Sequence, residues 1–373
     1  MIAIRHAKGI HVENSNGSNR CKVTSQLNAP PAYNRRMKAR PTLIATHNGT
    51  FHADDVFGVG VLMGAFPNHE LIRTRTQSNI DAADFAVDVG GEWTPERGRF
   101  DHHQRGFDGA RPDESIDGHS RPGVGYASAG LVWSVHGPAY ALAMAASRNL
   151  TLNDDAIASI VHSIDHSLVQ YLDMVDTGQG EVAPGIFGLS SLIAQLNTNW
   201  LEERNLDVQA KARLQDSRFM EAVAITRKFL DQAINKKIGQ ILAADTVRKA
   251  PRLLDGHVLH LKEGGMPWTR VVVDEMPDVQ LVIYPDSDGT QFQVKTVPVE
   301  VGSFASKMDL PASWAGLRDE GLAAVTGVPD SVFCHLNLFI AGARSFEGAV
   351  RLAELALSGS KTNMGTERST ASK

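Results

Sequence analysis

The first half of the chain alternates short apolar runs with longer stripes of helical spacing. Runs of the first kind predict four strands, the first of them buried: Thr42–Thr46, Glu70–Thr76, Phe85–Val89 and Arg99–Phe100. After the first of these runs, apolar residues recur at helical spacing: Val56, Val59, Gly60 and Met63. Strands that alternate with helices predict an α/β fold with a parallel sheet covered on both faces.

Three further helices are predicted between about residue 126 and Lys237. Apolar residues between about 126 and 148 indicate helix, which Pro138 should divide in two or kink. Asn153 is a suitable N-cap for a helix that runs to Tyr171, because two aspartates follow it in the first turn. A long, charged amphipathic helix is predicted from Glu202 to about Lys237.

The pattern changes after this long helix. Five short runs predict strands: Ile238–Ala243, His257–Leu261, Val279–Tyr284, Gln291–Val297 and Ser331–His335. Phe346–Leu357 predicts a closing helix. We therefore expect a parallel-sheet domain over 41–202, a connecting helix over 203–237 and a smaller α+β C-terminal domain over 238–357 across a cleft. The two ends, 1–40 and 358–373, are expected to be disordered.

Composition narrows the class of protein. The chain has 373 residues and a formal net charge of −5, which argues against a non-specific coat for duplex DNA. It leaves a nuclease open, because metal ions can supply local positive charge. The two cysteines, Cys21 and Cys334, predict no disulfide framework, so we expect a reducing compartment and the cytoplasm. The longest apolar run, Val56–Phe66, is too short to span a membrane.

Residues 1–40 differ in kind from the rest. They carry eight basic residues against one acid, Glu13. Such a segment is either an organelle-targeting peptide or an extended start, with Met37 as the true initiator. We favour the second interpretation.

Histidines and aspartates concentrate in loops that follow the predicted strands of the first half. The set comprises His47, His52, Asp54, Asp88, Asp101, His102, His103 and Asp176. Ligand sites of parallel sheets lie at the carboxyl ends of the strands, so we expect these side chains to converge. Imidazoles and carboxylates suit manganese, zinc or iron. Two such ions can activate a water for in-line attack on a phosphate ester.

The order His…His-x-Asp, Val-Asp-Val-Gly, Asp-His-His and Asp-x-x-Asp-x-Gly resembles the four motifs of the DHH phosphoesterase superfamily. Longer stretches are similar to the melanocyte-proliferating-gene family: Thr46–Asp55, Arg73–Arg75, Phe100–Gln104, Ser128–Trp133, Trp314–Leu317, Phe333–His335 and Phe339–Gly342. The similarity covers about residues 42–357. It implies a DHH-type phosphoesterase domain followed by a substrate-binding domain. The implied activity is a 3′–5′ exonuclease on RNA or short oligonucleotides that uses a two-metal-activated water, without a covalent intermediate.

The resemblance also implies a role for each residue. The metal ligands would be His47, His52, Asp54, Asp88, His102 and Asp176, with Asp88 bridging two ions and Asp173 nearby. Asp101 would bind a metal or orient His102, and His103 would face the scissile phosphate. In the C-terminal domain, His335, Arg344 and Ser345 would bind substrate. We expect two Mn²⁺ ions. His52 stands where the superfamily's first motif usually has an aspartate, which can change the metal preference, so Mg²⁺, Zn²⁺ and Fe²⁺ remain alternatives.

Two other functions stay open. Hydrolysis of a small phosphoanhydride such as pyrophosphate would need a tight basic cluster, whereas Lys295, Lys307 and Arg344 are scattered in the sequence. A non-catalytic regulatory protein would have no reason to keep so many carboxylates together. We expect an RNA or oligonucleotide partner and no membrane, and we leave a homodimer open.

Overall fold

A computed structural model of the protein describes residues 40–116, 119–180 and 188–367. The predicted disorder of 1–39 and of 368–373 lies outside these ranges. Within them, no helix combines the length and the apolar character needed to cross a bilayer.

The first sheet has five strands in the order β2-β1-β3-β5-β4. Their bounds are β1 Thr42–Thr46, β2 His69–Arg73, β3 Phe85–Val87, β4 Trp93–Thr94 and β5 Arg99–Phe100. β1 pairs in parallel with β2 and β3, and β3 pairs in parallel with β5; β4 is an antiparallel edge strand. The predicted α/β fold with a parallel sheet is confirmed. β6 Glu114–Ile116 and β7 His119–Arg121 pair in antiparallel fashion as a separate two-stranded sheet.

Eight helices accompany this sheet in the described residues. They are α1 Ala53–Ala65, α2 Gln77–Ala82, α3 Ser128–Ala146, α4 Asp154–Ile164, α5 Gln170–Asp176, α6 Leu189–Ala194, α7 Trp200–Glu203 and α8 Val208–Lys249. A π-helical turn, Asp165–Val169, joins α4 to α5. The predicted cap of α4 is confirmed, because the Asn153 side chain accepts a hydrogen bond from the amide of Ala156.

Pro138 lies inside α3, which continues as one helix rather than two. Residues on both sides of the proline are buried, among them Trp133 and Tyr140. The Tyr140 hydroxyl also donates to Asp231 of α8 at 2.6 Å. Packing of this face outweighs the hydrogen bond that proline removes.

Glycines allow α1 to lie close to its neighbours. A Cβ added at Gly64 would overlap the ring of Tyr140 on α3. A Cβ added at Gly58 would lie 2.8 Å from Cγ1 of Val87, the last residue of β3. Side chains at these two positions would therefore push α1 away from α3 and from the sheet.

The long helix α8 corrects two boundaries. It begins at Val208, where Asp207 caps it, and it spans 42 residues, or about 63 Å at 1.5 Å per residue. The predicted strand Ile238–Ala243 is wrong, because these residues continue the helix. Ile234 and Ile238 are buried four residues apart, as are Ala243 and Val247, which is close to one helical turn in each case. Tertiary contacts therefore keep the segment helical.

The second sheet has six strands in the order β12-β13-β11-β10-β9-β8. Their bounds are β8 Arg252–Leu253, β9 Val258–His260, β10 Leu281–Pro285, β11 Phe292–Thr296, β12 Ser331–Cys334 and β13 Ile340–Ala343. Three helices belong to this half: α9 Thr269–Glu275, α10 Asp319–Thr326 and α11 Phe346–Glu367. The last helix extends to Glu367, beyond its predicted end at Leu357. The loose tail expected over 358–373 stays a prediction.

The buried side chains form separate clusters around the two sheets. The first cluster joins the first sheet to α1, α3 and the middle of α8, from Phe219 to Ile238. Two further clusters cover the second sheet, and Val247 near the end of α8 belongs to one of them. Helix α8 therefore contributes to the cores of both sheets. The division into domains at 203–237 stays a prediction.

Candidate metal centre

The parallel register brings three chemical motifs to one edge of the first sheet. His47 follows the last residue of β1, Asp88 follows the last residue of β3, and Asp101 follows the last residue of β5. These three strands are neighbours and run in the same direction, so their carboxyl ends meet at one edge. The start of α1 and the end of α5 supply the remaining candidates.

The candidate ligand atoms form three groups, within each of which they lie no more than 4.8 Å apart. The groups are Asp88, Asp101, His102 and His103; His47, His52 and Asp88; and His52, Asp54 and Asp176. All eight residues expected at the metal centre from the sequence are present. Asp88 and His52 each belong to two groups, so the groups adjoin.

Asp88 is the central member of the cluster. One carboxylate oxygen lies 3.3 Å from Nε2 of His47, and the other lies 3.2 Å from Nδ1 of His103. The Ser128 hydroxyl donates to Asp88 at 3.0 Å. Burial alone would raise the pKa of Asp88, but hydrogen bonds from His103 and His47 outweigh it and hold the pKa well below its usual value. Its φ of +54° is a strained conformation for a non-glycine residue.

Asp54 is the residue that tests whether the cluster fits a metal. It is 1% exposed, and neither carboxylate oxygen has a hydrogen-bond partner among the described residues. Burial, followed by the charges of Asp88 and Asp176, raises the pKa of Asp54 well above its usual value. A buried carboxylate is normally paired, protonated or bound to a metal. The surrounding imidazole nitrogens and carboxylate oxygens suit a divalent ion, so the residues fit one.

Asp55 is a site residue that the sequence reasoning missed. It is fully buried, and its Oδ2 lies 3.1 Å from Nε2 of His47. Its Oδ1 accepts hydrogen bonds from the amides of His52 and Val56 at the start of α1. Burial would lower the pKa of His47, but hydrogen bonds with Asp55 and Asp88 raise it to about 10. The sequence signal was present, since two consecutive aspartates open the helix.

The Asp-His-His stretch contributes side chains with different exposures. Asp101 is buried and accepts from the amide of Gly91 at 2.7 Å, and its other oxygen lies 2.9 Å from Nδ1 of His103. His102 is mostly buried, with Nε2 3.1 Å from Oδ2 of Asp176. His103 is 61% exposed. The hydrogen bond to Asp88 raises the pKa of His103 to about 9, and the hydrogen bond to Asp101 acts in the same direction. Partial burial of the ring opposes this rise.

Ser128 was also missed as a site residue. Besides donating to Asp88, its Oγ lies 3.2 Å from Nδ1 of His102. It begins α3 and is itself fully buried. Its place in the stretch Ser128–Trp133 is the signal that could have identified it.

Asp173 is not a member of any of the three groups, in contrast to Asp176. Its carboxylate accepts from the amide of Gly130 at 3.0 Å and lies 2.9 Å from Nη2 of Arg111. Arg111 also donates twice to Asp165, at 2.7 and 2.6 Å. Burial raises the pKa of Asp173 to about 7, although Arg111 opposes the shift. Asp173 therefore anchors α5 to the start of α3, and Asp176 reaches the cluster from the same helix.

The three substrate-binding candidates lie beside the second sheet and join none of the ligand groups found in the described residues. His335 follows β12 and is exposed, and its Nδ1 accepts from the amide of Asn337. Arg344 is 61% exposed and lies 3.4 Å from Asp319. The Ser345 hydroxyl donates to Asp330 at 2.6 Å and accepts from the amide of Gly348 at 3.0 Å.

Buried carboxylates and imidazoles at the carboxyl edge of a parallel sheet are typical of metal-dependent hydrolases. The family model MYG1_exonuc, "Uncharacterised protein family (UPF0160)", matches residues 43–357. The chain belongs to this family, and family and site together define a metal-dependent hydrolase.

Similar proteins extend over most of the chain. A rat protein named MYG1 exonuclease is 31% identical over 360 residues, which is 90% of each chain. A human protein of the same name is 30% identical over 355 residues, 88% of this chain and 89% of its own. The crystal structure of RecJ from Thermus thermophilus with Mn²⁺ aligns with 85% of this chain and 52% of that one. At 14% identity and a TM-score of 0.23, that likeness carries no argument.

Proposed function

We propose that the protein is a metal-dependent phosphodiesterase that removes nucleotides from the 3′ end of RNA or short oligonucleotides. The exonuclease name of its relatives and the candidate metal centre support a nuclease. RNA as substrate and the 3′–5′ direction are the finer parts of the proposal. The observation that carries it is the buried carboxylate of Asp54, which has no partner in the described residues and adjoins two histidine-containing groups.

Six side chains would hold divalent ions, which we propose to be two Mn²⁺: His47, His52, Asp54, Asp88, His102 and Asp176. Asp88 is the candidate bridging ligand, because it belongs to two of the groups. When bound, such ions act as Lewis acids and lower the pKa of a water ligand toward about 7. The aspartates repel a phosphodiester anion, so we expect the site to be inactive without cations.

His103 is the residue that we assign to the scissile phosphate. Its Nδ1 is engaged by Asp101 and Asp88, which leaves Nε2 to face a substrate. In the metal-free protein the raised pKa of about 9 keeps the ring protonated at neutral pH. A proton held at Nε2 can donate to a non-bridging phosphate oxygen and stabilise the charge that develops there. Asp101 would orient this ring through the bond to Nδ1.

Residues of the second sheet are assigned to the rest of the substrate. His335 and Arg344 are exposed, so both can reach a bound oligonucleotide. The Ser345 hydroxyl already donates a hydrogen bond to Asp330 and accepts one from the amide of Gly348. To contact substrate as predicted, it would have to give up one of these hydrogen bonds or accept a second one. A cytoplasmic location, domains at 41–202 and 238–357, and a homodimer remain parts of the proposal.

The test uses metal-stripped protein, a 5′-labelled short RNA and pyrophosphate, each with and without Mn²⁺. We expect a ladder of progressively shorter labelled RNAs that requires Mn²⁺. The double variant Asp101→Ala/His102→Ala should produce none. A matched 5′-labelled DNA tests the preference for RNA.

Three results would contradict the proposal in different ways. Release of the label as a mononucleotide at the earliest times would indicate the 5′–3′ direction. Phosphate from pyrophosphate without any shortening of RNA would favour a phosphoanhydride hydrolase. Bound Mn²⁺ with no reaction on either substrate would leave the metal centre correct and the substrate wrong.

A further inference from the structure

The loop between β1 and α1 carries two candidate ligands, His47 and His52. It does not repeat a regular backbone conformation: Gly49 has a φ of +90°, which side-chain-bearing residues rarely adopt. Backbone groups in such a loop lack partners from a strand or helix and must find them elsewhere. The positions of the two histidines therefore depend on whatever binds this backbone.

Arg73, at the end of the neighbouring strand β2, binds the first part of the loop. Its Nε donates to the carbonyl of His47 at 3.2 Å, and its Nη2 donates to the carbonyl of Gly49 at 2.6 Å. Its Nη1 lies 3.3 Å from Oδ1 of Asp216 on α8. The side chain is 2% exposed. One buried guanidinium thus joins the ligand loop to the long helix.

Aromatic rings enclose the same guanidinium. Its carbon lies 4.6 Å from the ring centroid of Phe219 and 5.7 Å from that of Phe51. The two rings pack edge to face, with centroids 5.5 Å apart. Phe51 belongs to the loop, and Phe219 belongs to α8. A planar cation fits between a ring and two carbonyls, whereas an ammonium cannot make the same set of contacts.

Asn197, in the segment between α6 and α7, holds the other end of the loop. Its Oδ1 accepts from the amide of Phe51 at 2.9 Å, and its Nδ2 donates to the carbonyl of Phe51 at 2.9 Å. The residue that follows is His52. Arg73 and Asn197 therefore fix the backbone from His47 to Phe51, the stretch that joins the two candidate ligands.

We propose that Arg73 is a positioning residue of the metal centre, which sets metal affinity by fixing the backbone that carries His47 and His52. A guanidinium cannot ligate a cation, so Arg73 acts only through the loop. The inference rests on the proposed metal-dependent function. Residues that orient metal ligands change metal affinity by about 10- to 100-fold when they are replaced.

The test measures Mn²⁺ affinity by calorimetry on metal-stripped, full-length protein, together with thermal unfolding of each variant. Arg73→Met should bind Mn²⁺ about 10- to 100-fold more weakly than the unchanged protein. Arg73→Lys should fall between the two, because a lysine keeps the charge and can reach one carbonyl. Asn197→Ala should weaken binding in the same direction.

Arg99→Lys is the matched control. Arg99 is also a buried arginine, and it donates to the carbonyls of Ala83 and Arg97. These carbonyls precede β3 and β5, at the opposite edge of the sheet from the metal centre. The variant should lower the unfolding temperature as Arg73→Lys does, yet bind Mn²⁺ like the unchanged protein.

Equal Mn²⁺ affinity in folded Arg73→Lys and in the unchanged protein would overturn the inference. So would an equal loss of affinity in Arg99→Lys, because affinity would then follow general stability. If Arg73→Met does not fold, Arg73→Lys and Asn197→Ala decide the matter. An unchanged protein that binds Mn²⁺ but leaves RNA intact would remove the proposed function and leave the positioning role standing. One that binds no Mn²⁺ would remove both.

Discussion

The polar side chains beside the two sheets differ in their burial and in whether they have partners. At the carboxyl edge of the first sheet, Asp54 and Asp88 are buried and close to further acids, and Asp54 has no partner among the described residues. Beside the second sheet, Arg344 is exposed and Ser345 is fully bonded. The first region therefore needs a cation to satisfy its polar groups, whereas Arg344 and Ser345 reach solvent or protein partners without a ligand. A functional site is easier to identify where folding alone leaves polar groups unsatisfied.

The largest effect should follow from replacing Asp54. Asp54→Asn should lower both Mn²⁺ affinity and nuclease activity by more than about 100-fold, since removing a ligand exceeds the effect of removing its support. The same change should stabilise the metal-free protein by about 0.5–2 kcal/mol, because the folded state no longer has to hold a repelled carboxylate or take up a proton at this position. Calorimetry and urea unfolding would measure the two effects. A variant that loses stability without metal would contradict the view that this carboxylate is held against repulsion.

The comparison can also be made through stability, by breaking one buried ion pair beside the first sheet and one exposed ion pair beside the second. Arg111→Ala leaves Asp173 buried without its cation and should cost about 3–5 kcal/mol. Arg344→Ala breaks a pair in which both side chains are more than half exposed, and should cost no more than about 1 kcal/mol. Urea unfolding of both variants provides the measurement. Similar costs would mean that burial does not separate the two regions.

The stability of the metal-free protein should fall as the pH rises above about 6.5. The pKa values of His47 and His103 are raised to about 10 and about 9, so the folded state binds more protons than the unfolded state. The stabilisation is complete below about pH 6.5 and is lost as the pH passes through the raised values. Unfolding temperatures between pH 6 and 9.5 would show the decline.

Mn²⁺ should change this dependence, because histidine ligands must lose their protons before a metal can bind. Its affinity should rise with pH, and its binding should release protons that calorimetry in two buffers detects. Metal affinity that is constant from pH 6 to 9 would contradict the assignment of His47 as a ligand.

The smallest effect concerns Ser345. Ser345→Ala removes the side chain that bonds the amide of Gly348 in the first turn of α11, and should cost about 1 kcal/mol. Mn²⁺ affinity should not change, because no ligand group in the described residues includes this position. A marked loss of Mn²⁺ affinity would show that the second sheet supports the metal centre after all.

The sequence was sufficient to predict the convergence of His47, Asp88 and Asp101, because parallel strands place their carboxyl ends at one edge. For Asp55 and Ser128 the sequence placed both residues in motifs but did not specify what they do there. Their roles depend on which oxygen faces which ring, and residue order does not specify that. The strand predicted at Ile238–Ala243 failed for a related reason. A short apolar run fits either a strand or a buried helix, and only the packing of α8 between two cores decides it.

A substitution at Gly58 can disturb the candidate metal centre although Gly58 is not a candidate ligand. Its missing side chain lets α1 approach Val87, the residue just before Asp88, while Asp54 lies one turn earlier on the same helix. A change of Gly58 to alanine would preserve every charge and every ligand, and by composition it would count as conservative. Yet one added methyl group would alter the distance between Asp54 and Asp88, two candidate ligands of adjoining groups. Inherited loss of metal binding could therefore arise at a position with no chemistry of its own.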